Sequence, residues 1–177
     1  RRLLETKRLR EARAAARYLP DAQVPEARTL EAIADKPAAY LARRSSNFAA
    51  TRLGREMALF AVQRMARQDP LATATQWRAI EDKFSEADRG YAWGQLAQQA
   101  AMRHLPEAPA WFDRAGTTPL SEDQLAWKVR ASLRAGDWGR VSQAVEQMPP
   151  QMAAEPAWTY WQARALAAQG GGDQAAA

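Results

Sequence analysis

Apolar residues along this chain recur at three- and four-residue spacing. Leu53, Met57, Phe60, Ala61 and Met65 form one such stripe, the pattern of a helix with a single buried face. Tyr91, Trp93, Leu96, Ala97, Ala100 and Ala101 form another. That second stripe is wider than a one-sided surface helix needs, and it suits a helix packed on several partners at once. Prolines and polar clusters punctuate the pattern. A helix is expected over 3–18, ending before Pro20, because the residue ahead of a proline resists the helical region. Short helices follow at 25–33 and 37–43, each with proline at its first turn, and Ser45, Ser46 and Asn47 read as a loop. Thr51 or a neighbour caps the next helix, which Asp69-Pro70 closes.

From Pro70 the pattern repeats. Trp127, Arg130, Ala131 and Gly136 each recur 34 residues later, as Trp161, Arg164, Ala165 and Gly170, and Trp93 and Ala97 stand 34 before Trp127 and Ala131. Trp77 and Trp111 share the same period in a second register, 16 residues ahead of Trp93 and Trp127. Such self-similarity marks stacked two-helix units, none able to bury its apolar face alone. The first unit is expected at 71–84 and then from a Ser85 cap. The second runs from Pro106 to Gly116 and then from Ser121. The third runs over 138–148, stops at Pro149-Pro150 and resumes after Pro156. The fold class predicted is therefore all-α, a right-handed superhelical solenoid of antiparallel helix pairs with a 34-residue repeat. Irregular helices occupy 1–70, helix-pair repeats 71–170 and a flexible tail 171–177. Trp77, Trp93, Trp111, Trp127 and Trp161 are the expected repeat core, with Trp93, Trp127 and Trp161 in equivalent buried positions.

Composition supports helices and removes several chemistries. At 177 residues the chain can bury roughly two thirds of its unfolded surface. Alanine, the best helix former, dominates the apolar set, whereas valine and isoleucine are few. Cysteine is absent, which excludes disulfides and thiolate metal sites. The longest apolar run, 57–62, is far too short to span a bilayer. The chain opens on Arg1 with no signal-like stretch, as a fragment or excised domain would.

Charge is concentrated at the N-terminus. Residues 1–18 carry seven basic side chains against two acidic ones, an excess equal to the +5 of the whole chain. A basic patch of this kind attracts anionic polymers. No aromatic residue interleaves before Tyr18 and no nucleic-acid module motif occurs, so a solvated helix face accounts for it and no specific nucleic-acid partner is expected.

Catalytic and metal chemistry find little purchase. His104 is the only histidine, placed at a helix end and without carboxylates at ligand spacing, so no metal site or cofactor is expected. Glu86, Asp88, Glu122 and Asp123 stand at helix starts, where capping and the helix dipole explain them. Arg130 and Arg164 each follow a repeat tryptophan by three residues and share its helix face. Two roles remain open for them. One is contact with substrate hydroxyls and carboxylates from a concave surface. The other is an internal clamp, with the stem packed on a ring and the guanidinium bonded to the next repeat.

The period, and the Gly136-Asp137-Trp138 turn, resemble tetratricopeptide repeats, although the tyrosine and second-helix aromatic of that consensus are missing. A fuller resemblance is to the superhelical domain of soluble lytic murein transglycosylases. It is carried by R-G-Y-A-W at 89–93, A-W-K-V-R-A-S-L-R-A-G-D-W at 126–138 and P-A-W-T-Y-W-Q-A-R-A-L at 156–166. It is clearest over 50–170, and it departs from the pattern at Thr159 and Gln162, where arginines are expected. The resemblance implies a U-shaped or ring-shaped superhelix in the periplasm, through which peptidoglycan glycan strands reach a separate C-terminal catalytic domain. There a single glutamate, in an Glu-Ser motif followed by Gly-x-x-Gln, cleaves the glycan to 1,6-anhydro products. This chain carries only the reversed pairs Ser85-Glu86 and Ser121-Glu122, so no catalytic residue is assigned to it. Arg130, Arg164 and Tyr160 are its substrate-contact candidates. The alternative function is a tetratricopeptide-like adaptor that binds a peptide in its groove, and a nucleic-acid-binding helical array ranks third.

Overall fold

The computed structural model describes residues 24–170, together with residues 11, 14, 15, 18 and 20. Apart from those few positions, the basic helix expected over 3–18 lies outside the described residues, as does the tail over 171–177. Between residues 24 and 170 the chain forms ten α-helices and no strand. They are α1 (Ala27–Asp35), α2 (Pro37–Ala42), α3 (Arg52–Ala66), α4 (Pro70–Arg78), α5 (Glu86–Met102), α6 (Ala108–Asp113), α7 (Glu122–Arg134), α8 (Trp138–Glu146), α9 (Pro150–Ala153) and α10 (Pro156–Ala168).

Side-chain caps set many of the starts. Thr51, Asp69 and Asp137 each accept a hydrogen bond at 3.0 Å from the backbone N–H three residues on. Ser85 does the same for Asp88 at 3.2 Å. Ser121 and Gln124 form a reciprocal capping box, at 3.3 and 2.9 Å. Each such cap typically contributes about 1 kcal/mol.

The chain divides into two compact units inside α5, between Ala92 and Trp93, and not at Pro70 where the sequence pattern changes. The reason is visible in α4, which packs on α3 along with α1 and α2. Trp77 of α4 is fully buried, its ring 4.8 Å from Phe84, which in turn lies 6.0 Å from Phe48. Helix α4, expected to open the repeats, thus completes the core of the N-terminal unit. That helix also ends at Arg78 and gives way to a 3-10 turn over Glu81–Lys83, where a single helix to residue 84 is expected. No glycine or proline signals the break, and Ile80 and Phe84 remain buried across it.

In the second unit α8 packs against α7 on one side and α10 on the other. Gln169, just after α10, donates to the carbonyl of Trp138 at the start of α8 (3.2 Å), and Gln162 donates to Ser142 Oγ (2.9 Å), so α8 and α10 run antiparallel. Leu125, Val129, Val141, Val145, Trp158 and Ala165 fill the layer between them. Pro149-Pro150 ends α8 as expected, but Pro150 also opens the one-turn α9, proline being suited to a first helical position.

The tryptophans are not equivalent. Trp93 is 1% exposed with its ring tilted against that of Trp111, centroids 5.8 Å apart, whereas Trp127 and Trp161 are only half-buried. Equivalent burial of the three is thereby corrected. Trp127 faces a groove, and in α10 it is Trp158 that enters the core, leaving Trp161 beside the exposed Tyr160.

Candidate functional site

The C-terminal end of α5, the loop after it and one face of α7 enclose a groove of about 390 Å³. Its wall on α7 is built from Trp127, Arg130 and Arg134, spaced three and four residues apart and hence on one face. Opposite stand His104, Pro106 and Pro109. Among the described residues no acidic side chain lines it.

His104 owes its place to the way α5 ends. Its N–H bonds to the carbonyl of Ala101 (3.0 Å) and that of Leu105 to Ala100 (2.9 Å), the Schellman arrangement that puts one residue in the left-handed region. Gly136 ends α7 in the same way, with φ of 68°. At the end of α5 the left-handed residue is His104, with φ of 60°. A side chain in this conformation costs about 1 kcal/mol or more relative to glycine.

Arg130 lies between two rings. Its guanidinium carbon is 5.1 Å from the centroid of Trp127 on its own helix and 5.3 Å from Trp158 of α10. The arginine therefore ties α7 to α10 through aromatic faces and not through carbonyls or carboxylates. Neither Arg130 nor Arg134 has a hydrogen bond or ion pair to another described residue. Both are exposed. Tyr160 and Arg164, the other two substrate-contact candidates, do not reach this groove. They share an exposed face of α10, where Tyr160 meets Trp161 edge-on at 5.0 Å.

Arg134 in the groove, and Trp158 behind Arg130, are not among the residues expected from the sequence. Arg134 carried a usable signal, being four residues after Arg130 on the same stripe. Trp158 carried none, because its approach to Arg130 depends on how α10 packs.

Other charged groups serve the framework. Arg140 donates from Nη2 and Nε to Asp113 (2.9 and 3.2 Å) and from Nη1 to Asp137 (2.5 Å), joining α8 to the end of α6. The hydrogen bond from the Arg140 backbone N–H leads the effects that hold the Asp137 carboxyl below its usual range. Lys128 is buried on α7 and donates to Gln147 Oε1 at 2.9 Å; burial pushes its pKa down, opposed by the nearby Asp113. Thr159 and Gln162, where arginines are expected, bond to the carbonyls of Ala153 and Glu155 and to Ser142 respectively. Among the described residues no group of three or more His, Asp or Glu side chains is placed to hold a metal. No helix there is long and apolar enough to cross a membrane.

No protein-family model matches the sequence, and no curated protein does. Among solved structures, an inactive mutant of the lytic transglycosylase Slt from Pseudomonas aeruginosa superposes on 97% of this chain with a TM-score of 0.70 and 22% identity. The fold is that of part of a lytic transglycosylase. The chain spans 28% of that protein's length, and an identity this low speaks to the fold alone.

Proposed function

We propose that this chain is a non-catalytic superhelical segment of a peptidoglycan lytic transglycosylase, acting in the periplasm at the cell wall. The observation that carries this reading is the fold likeness running through 97% of the chain. Sequence phrases at 89–93, 126–138 and 156–166 point to the same family independently. The helix pairs supply a stiff wall that scaffolds the enzyme and admits the glycan strand to a catalytic domain outside this segment.

Cleavage of a glycosidic bond needs a carboxylic acid held in a cleft with a raised pKa, ready to protonate the leaving oxygen. The groove offers arginine, histidine and tryptophan, and among the described residues no carboxylate. Ser85 and Ser121 cap the helices that Glu86 and Glu122 begin, consistent with a capping role for those acidic starts. Incubating the purified chain with sacculi and analysing the supernatant by mass spectrometry tests this. No soluble 1,6-anhydro muropeptide above a buffer control is expected. Release that survives repurification overturns the non-catalytic assignment.

A further inference from the structure

We infer that the groove between His104 and the Trp127–Arg130–Arg134 face of α7 binds a carboxylate carried on a sugar or its attached peptide. The inference rests on the reading of the chain as a peptidoglycan-facing segment, and it names the chemistry of one site within it.

Arg130 and Arg134 stand one helical turn apart, a spacing at which like charges destabilise a helix. A structural pair of arginines would be offset by carboxylates, and here neither has a hydrogen bond or ion pair among the described residues. The rings of Trp127 and Trp158 hold Arg130 in place while leaving its N–H groups available. Planar guanidinium forks match carboxylates by paired hydrogen bonds. Beside them lie the half-buried ring of Trp127 and the side chains of Pro106 and Pro109, an apolar surface against which a pyranose ring can rest. A mostly apolar hollow with a few convergent polar groups is the usual form of a small-ligand site. His104 adds a polar side chain from a left-handed backbone position that glycine would occupy without strain, and such strain concentrates at ligand sites. The volume of about 390 Å³ suits one sugar ring with its substituent.

The test is a nuclear magnetic resonance titration of the whole chain, following the Trp127 indole N–H assigned with Trp127→Phe. Three probes separate the sources of the carboxylate. N-acetylmuramic acid bears it on the lactyl ether, muramyl dipeptide bears it on the peptide, and N-acetylglucosamine has none. At least one acid is expected to bind about tenfold more tightly than N-acetylglucosamine, the gain of a charge-assisted hydrogen bond. Arg134→Gln removes that gain. Arg164→Gln, the same charge change outside the groove, keeps it. Equal binding of all three sugars, or equal loss in both variants, overturns the site. A short uridine oligomer that displaces the acids at lower concentration overturns the carboxylate class. Sacculi separate this proposal from the reading beneath it. A wild-type chain that discriminates the acids yet stays in the supernatant when sacculi are pelleted upholds the site and overturns the peptidoglycan reading. Sacculi pelleting the wild type, with no discrimination among the sugars, do the reverse.

Discussion

The guanidinium of Arg130 lies 5.3 Å from the ring of Trp158, joining α7 to α10, the two helices that α8 packs against. Contacts of this type at an exposed side chain are worth about 0.5–1 kcal/mol. Arg130→Ala and Trp158→Ala are therefore expected to couple by that amount in a double-mutant cycle read by urea unfolding. Additive losses would mean that the approach contributes nothing to stability.

The tryptophans should separate sharply by cost. Trp93→Ala empties a fully buried ring and is expected to lose about 3–5 kcal/mol. Trp127→Ala removes a half-buried ring at the groove and should lose less than half as much. Equal losses in chemical denaturation would restore the equivalence that their spacing suggests.

Asp137 links pH to the α7–α8 turn. Its carboxyl is held below the usual range first by the Arg140 backbone N–H, with the Arg140 guanidinium adding to it. A depressed carboxylate contributes stability that is fully present above its unfolded pKa and lost as pH falls through the folded value. The side chains of Arg140 and Asp137 are 38% and 36% exposed, so the ion pair itself adds little and the cap carries the effect. Asp137→Ala should cost about 1 kcal/mol near neutral pH. The gap from wild type should close on acidification below the ordinary carboxylate range, as melting temperatures against pH will show.

The pKa of Lys128 is also depressed, but here it is the charged form that folding disfavours. At 9% exposure its ammonium is hydrogen-bonded to the neutral Gln147, and burial lowers its pKa more than Asp113 restores it. The unfolded chain then binds the proton more readily, so stability rises with pH from the folded pKa to the unfolded one. Lys128→Met should raise stability by about 1 kcal/mol near neutral pH and abolish that alkaline rise. A destabilised variant would show that Asp113 and Gln147 more than offset the burial.

What the sequence disclosed follows from local physics. Thr51, Ser121 and Asp137 announce their helices because a cap needs only the next three residues. Gly136 announces the end of α7 because its left-handed backbone favours glycine. His104 holds the same conformation unannounced, since the bonds to Ala100 and Ala101 that fix it do not depend on its side chain. The break after Arg78 was hidden too, because Ile80 keeps the apolar spacing of an unbroken helix. The groove was half legible. The face of α7 could be read from spacing, whereas His104 and the two prolines reach the groove, and Trp158 reaches Arg130, through tertiary packing.

Sedimentation with purified sacculi at physiological salt puts the peptidoglycan assignment itself to the test. The wild-type chain is expected to pellet in part, and soluble muropeptides, but not an equal concentration of a neutral chitin oligomer, are expected to return it to the supernatant. A chain that stays in the supernatant at every sacculus concentration would contradict the peptidoglycan assignment.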